Sequence, residues 1–146
     1  MYYHEEKQNL LLLPQGWAIA HCISADFALG AGVAKQIDDV FNMREMLNLH
    51  WGPISGYEDQ WDAPCCLPCM NVFNLVTKEK YYHRPTLESL RSALEELMEF
   101  VVELGIKKLA MPKIGCGLDR LNWDDVSVMI QEIFLECDVE IMICCL

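Results

Sequence analysis

Residues 107–121, KKLAMPKIGCGLDRL, constrain this chain more than any other stretch. An apolar run, Leu109-Ala110-Met111, meets Pro112, which has no N–H to give to a sheet ladder, and then Gly115-Cys116-Gly117. Two glycines one residue apart allow positive φ and leave backbone N–H groups open to a close neighbour. Asp119 follows at once, with Arg120 beside it. A strand that ends in a glycine loop carrying an acid is where α/β proteins tend to place a ligand. The same residues also suit an ordinary strand-to-helix turn with a surface aspartate.

A second loop of this kind lies earlier. Residues 17–23, WAIAHCI, form a nearly continuous apolar run of strand length, as expected for a strand buried on both faces. His21 within it reads as a core histidine, since no acid adjoins it in sequence. SADFALGAG, residues 24–32, then leads into a helix over 33–41, with Val33, Ile37 and Phe41 at i, i+4 and i+8. Strand, glycine loop and helix start together make an anion cradle, in which amides and the helix dipole favour negative charge. A plain glycine-rich turn is the alternative. No third glycine completes a dinucleotide fingerprint, and no Gly-Lys-Ser/Thr marks a P-loop. Both loops follow apolar strands and precede helices, so both are expected on one edge of a sheet, where together they could grip a diphosphate.

The remaining stretches give an alternating pattern. Residues 2–13 read as one or two short strands, with 10–13 the apolar part, and 43–48 as a short helix. Residues 49–64 are irregular, with Trp51 and Trp61 able to pack over the body or over a ligand. A short strand, a turn near 68–71 and a strand over 72–77 deliver Lys78, followed by Glu79, Lys80 and Arg84. That charge cluster is by itself compatible with a solvated turn. Leu87, Leu90, Leu94, Leu97, Val101 and Leu104 mark a helix over 86–104, opened by Pro85-Thr86 and closed by Gly105. A strand is expected over 106–111. A helix capped by Asn122 should turn Val126, Ile130, Ile133 and Phe134 inward, and 139–145 should end the chain as a buried strand. Strands alternating with helices predict an α/β fold: a three-layer α/β/α sandwich with a central mixed sheet, in one domain over residues 1–146.

Charge and cysteine usage narrow the partners. With 22 acidic against 11 basic residues, the net charge of −11 repels a long phosphate backbone, so extended nucleic-acid binding is not expected. A small anion held by uncharged amides remains compatible. No apolar run is long enough to span a membrane. The polar, acidic start MYYHEEKQN does not read as an export signal, and eight cysteines without one read as reduced thiols. The expected location is therefore cytoplasmic, or also nuclear in a eukaryote, and the expected state a monomer. Cys65, Cys66 and Cys69 are the one cysteine cluster. No second pair follows at zinc spacing, and His50 and His83 would join it only by accident of folding, so no metal and no cofactor are expected.

At these residues the chain resembles the macrodomain family, and within it the terminal ADP-ribose protein glycohydrolase subgroup. The shared pieces are Ala20-His21-Cys22-Ile23-Ser24 running into Gly30-Ala31-Gly32, Thr77-Lys78, Pro85-Thr86, and Met111-Pro112-Lys113-Ile114-Gly115-Cys116-Gly117-Leu118-Asp119-Arg120-Leu121 with Trp123 just beyond. The resemblance implies an ADP-ribose pocket without a cofactor, serving ADP-ribose or an ADP-ribosylated protein. Ile23, Ser24, Gly30, Ala31 and Gly32 would line the distal ribose and diphosphate on one side. Pro112, Ile114, Gly115, Cys116, Gly117 and Leu118 would close over the other. It implies that Lys78 attacks the anomeric carbon and that Asp119 serves as acid/base in release. The implied substrates are glutamate or aspartate esters of ADP-ribose and O-acetyl-ADP-ribose. A non-catalytic reader and a hydrolase of ADP-ribosylated DNA bases are the alternatives. Where the family has Gly-Asp before its second strand, this chain has Gln8-Asn9.

Overall fold

A computed structural model describes residues 1–51, 64–117 and 119–145. The strands are β1 (Tyr2–Lys7), β2 (Ala18–Ser24), β3 (Cys66–Cys69), β4 (Val72–Lys78), β5 (Lys108–Met111) and β6 (Glu140–Cys145). The helices are α1 (Gly32–Phe41), α2 (Met43–His50), α3 (Leu87–Leu104) and α4 (Trp123–Ile133). The strands form one six-stranded sheet in the order β1-β6-β5-β2-β4-β3. Every neighbouring pair is parallel except β3 and β4, so the sheet is mixed.

The two faces of the sheet carry separate cores. Ala18, Ala20, Phe73, Leu75, Leu109, Met111, Ile141 and Ile143 pack against α3 and α4. Ile19, Ile23, Val72, Val76, Ala110 and Cys144 pack on the opposite side against Ile37 of α1 and Met43 and Leu47 of α2. Alternate residues of a strand point to opposite faces, so strands covered on both sides read as unbroken apolar runs. This is why residues 17–23 are apolar throughout. The result is the three-layer α/β/α sandwich.

Local signals set most boundaries. Thr86 caps α3 by accepting the Ser89 N–H, and the Ser89 hydroxyl accepts the Thr86 N–H in return. Gly105 closes the helix at φ 64°. Asn122 caps α4 through the Asp125 N–H. Of the apolar stripe on α3, Leu90, Leu94, Leu97 and Val101 are buried, whereas Leu87 and Leu104 lie exposed at the ends. Val126, Ile130 and Phe134 are buried and Ile133 is half-buried.

Two expectations are corrected. Residues 10–12 form one 3-10 turn rather than a strand, because Asn9 caps it by accepting the Leu11 N–H. That side chain is therefore committed to the turn. Residues 49 and 50, expected to be irregular, belong instead to α2, which runs to His50. Residues 52–63, with Trp61, lie outside the described residues.

Candidate active site

Strands β5, β2 and β4 are adjacent and parallel, so their carboxyl ends lie side by side. Ser24 ends β2 directly opposite Lys78 at the end of β4, across a register shift. The loops that follow these three strands enclose a cavity of about 720 Å³, within the range of small-molecule sites. Ile23, Ser24, Gly30, Ala31 and Gly32 line it from the first loop, and Pro112, Ile114 and Gly117 from the second. Lys78 and Asp119 line it as well.

Gly115 and Cys116 lie in the second loop but do not line the cavity among the described residues. Gly115 is buried against Leu121 and Leu90, and the Cys116 thiol donates to the Ile114 carbonyl at 3.3 Å. Leu118 lies outside the described residues. The expected paired freedom of the two glycines also divides. Gly115 takes φ 74°, while Gly117 has no positive φ and faces open space.

The first loop turns through two non-glycine residues at positive φ, Phe27 (53°) and Leu29 (42°), both buried. Their side chains anchor the loop, and Gly32 opens α1 at φ 60°. Ala31 is the helix N-cap and offers no side-chain cap. Gly32, Val33 and Ala34 all line the cavity, so the first turn of α1 brings its positive dipole end to it.

At the floor, the Lys78 ammonium meets Asp119 Oδ1 at 2.6 Å. Both side chains are about 15% exposed (14% and 15%), so this ion pair is shielded from much of the solvent that weakens surface pairs. Four lining residues are cationic, Lys78, Arg84, Lys113 and Arg120, and Asp119 is the single acid among those described. The chain as a whole carries twice as many acids as bases, 22 to 11. The cavity thus reverses the sign of the molecule. No described residue pairs with the guanidinium of Arg84 or Arg120.

His21 is a core residue, as expected, and its role extends to the cavity wall. Its Nε2 donates to Asn74 Oδ1 at 2.5 Å, with Asn74 in turn donating to the Leu67 carbonyl, and burial pushes its pKa down to about 4. The imidazole is accordingly neutral near pH 7. The Cys22 thiol, also at the wall, is pushed up to about 12 by burial and then by Asp119, so it stays protonated. All eight cysteines are free thiols, and among the described residues no group of three or more His, Cys, Asp or Glu could hold a metal ion. None of the helices described is long and apolar enough to cross a membrane.

Asp26 escaped sequence reasoning because the partner that gives it its role, Tyr81, lies 55 residues away in the chain. Its Oδ1 accepts from the Ser24 hydroxyl at 2.5 Å and the Ala28 N–H at 3.1 Å, and its Oδ2 from the Tyr81 N–H at 3.0 Å. It therefore ties the first loop to the loop that follows Lys78. Partial burial alone would raise its pKa, but these hydrogen bonds and the charge of Lys80 outweigh it and hold the carboxyl below its ordinary value. A lowered carboxyl stabilises above the ordinary aspartate range and loses that effect as pH falls through the lowered value. Asp26→Ala is expected to speed amide exchange at Ala28 and Tyr81 by roughly fivefold, the worth of about 1 kcal/mol. In the wild type the same protection should fade only in acid.

An open edge of parallel strands, an uncapped helix terminus and a lysine–aspartate pair at the floor define a pocket for a small anionic ligand. Comparison with known proteins identifies its class. The Macro domain family model matches residues 65–130. The human ADP-ribose glycohydrolase OARD1 is 35% identical over 140 residues, covering 94% of this chain and 87% of that protein. The chain belongs to the macrodomain family. A DNA ADP-ribosyl glycohydrolase of Thermus aquaticus is 33% identical over 132 residues, 85% of this chain and 35% of that longer protein. The solved macrodomain of Thermus aquaticus DarG superimposes with a TM-score of 0.80 at 22% identity, over 99% of this chain and 98% of that one.

Proposed function

We propose that this protein is an ADP-ribosyl hydrolase that binds ADP-ribose in the cavity and releases it from acyl-linked acceptors. Glutamate and aspartate esters and O-acetyl-ADP-ribose are the acceptor classes in view. The observation that carries the reading is the Lys78–Asp119 pair at 2.6 Å, on the floor of a cationic cavity that the α1 N-terminus also faces. The names of the human and Thermus relatives, both glycohydrolases of ADP-ribosyl groups, support it. The diphosphate lies against the α1 amides and the second loop, where dipole and cations offset its charge. The distal ribose then reaches Lys78.

For chemistry, Lys78 passes a proton to Asp119 and its free amine attacks the anomeric carbon. The bond to the acceptor breaks and its electron pair leaves on the acceptor oxygen. Water then hydrolyses the lysine–sugar bond, Asp119 moving the proton that returns the amine. The amine and the carboxylate already touch, so the transfer needs no rearrangement. Calorimetric titration with ADP-ribose, run beside release of ADP-ribose from a glutamate-linked substrate, tests this. Saturable binding with turnover is expected. Absence of binding would sink the proposal.

A further inference from the structure

Over the stretch where they pair, β4 has one residue more than β2. The two strands match residue for residue up to Ile23 and Val76, and then Ser24 pairs with Lys78. Thr77 is therefore the extra residue of a β-bulge, the kind of irregularity that re-aims a side chain beside a site. Val72 and Val76 pack on the α1 and α2 side of the sheet, and Phe73 and Leu75 on the α3 and α4 side. Strict alternation would carry Lys78 to the α1 and α2 side with Val76. The extra residue brings it into register with Ser24 instead, and its amine meets Asp119, in the loop that leads into α4, at 2.6 Å.

A bulged residue loses its place in the ladder, and its backbone needs another partner. Thr77 is only 2% exposed, so bulk water does not supply one. Ser89, in the first turn of α3, does: its hydroxyl donates to the Thr77 carbonyl at 2.7 Å. The Thr86 carbonyl also lies 3.0 Å from that hydroxyl, but it already accepts the Leu90 N–H at 3.1 Å, which leaves the single hydrogen to Thr77. The same oxygen accepts the Thr86 N–H at 3.0 Å. One side chain thus fastens the start of α3 to the bulge, and it does so without lining the cavity.

We propose that Ser89 is a positioning residue, which fixes the bulge at Thr77 and through it the aim of Lys78. The inference rests on the hydrolase reading above and adds a residue outside the cavity on which its chemistry depends. Without the hydroxyl, a buried carbonyl is left short of a partner and the bulge shifts to regain one. Lys78 follows directly in the chain, and a nucleophile displaced by about 1 Å can lose about 10²-fold in rate. Ligand binding is spared, because the α1 amides and the second loop that face the diphosphate do not depend on this bond.

The test measures release of ADP-ribose from the glutamate-linked substrate, and calorimetric affinity for ADP-ribose, on Ser89→Ala, Ser89→Thr and Thr86→Ala. Ser89→Ala should lower kcat about tenfold or more with affinity unchanged. Ser89→Thr keeps a hydroxyl and should restore turnover. Thr86→Ala removes the other half of the capping box but leaves the Ser89–Thr77 bond. It should lower the denaturant midpoint, as a lost cap does, with kcat kept. Equal losses of kcat in Thr86→Ala and Ser89→Ala would overturn the inference, since helix capping alone would then explain both. Full turnover by Ser89→Ala would overturn it too, and so would a loss of ADP-ribose affinity in step with kcat. All three leave the hydrolase reading standing. Wild-type protein that binds ADP-ribose but releases none from the substrate would overturn both.

Discussion

Lys78→Ala is expected to abolish release of ADP-ribose while leaving its binding nearly intact. The amine sits 2.6 Å from Asp119 at the cavity floor and is only 14% exposed, so no other described amine replaces it there. A nucleophile acts in the transition state, and its removal lowers kcat with little effect on ground-state affinity; a loss of about a thousandfold or more is the scale to expect. Asp119→Asn keeps the shape but cannot take the proton, and general acid–base loss typically amounts to about 10²- to 10⁴-fold. Lys78→Arg is the informative companion, because it keeps a cation beside Asp119 and removes the nucleophile. Calorimetry and substrate release on the same four proteins decide the matter. Binding throughout with turnover in the wild type alone is the expected pattern. Undiminished turnover by Lys78→Ala would remove lysine from the mechanism.

Gly115→Ala should cost about 2–3 kcal/mol of stability. At φ 74° an L side chain is strained, and its Cβ would stand 2.9 Å from Leu121 Cδ1 and 3.4 Å from Leu90 Cδ2. The Leu121 tip can move in part, being half-buried, but Leu90 is fully enclosed in the core. Gly117→Ala is the contrast. No atom lies within 4 Å of its added Cβ and its φ is not positive, so stability should change by less than about 0.5 kcal/mol. That methyl would project where the ligand backbone is proposed to lie, and the expected loss is in ADP-ribose affinity. Denaturant midpoints and titrations on both variants separate the two. Equal destabilisation would mean that both glycines serve packing alone.

Much of the frame was legible because its signals are local. The three- and four-residue spacing of α3, its Thr86 cap and Gly105 stop lie within twenty residues and need no tertiary partner. The 17–23 run marked a strand covered on both faces before any helix was placed. Residues 10–13 misled for the converse reason: a short apolar run has no periodicity to tell strand from turn, and the Asn9 cap decided it. Both glycine loops were legible as loops, but the separate duties of Gly115 and Gly117 were not, since these depend on which side chains face them.

The chain's own order of apolar runs, glycines and caps determined its strands, its helices and an α/β architecture, because each follows from neighbours a few residues apart. The tertiary structure alone decided that β5, β2 and β4 lie together. That order brings Lys78 to Asp119 across 41 residues and Asp26 to Tyr81 across 55, and it turns residues 81–84 toward the cavity. The alternation of apolar residues specifies which faces of a strand are buried and not which strand lies beside it, so these contacts were set only when the sheet closed.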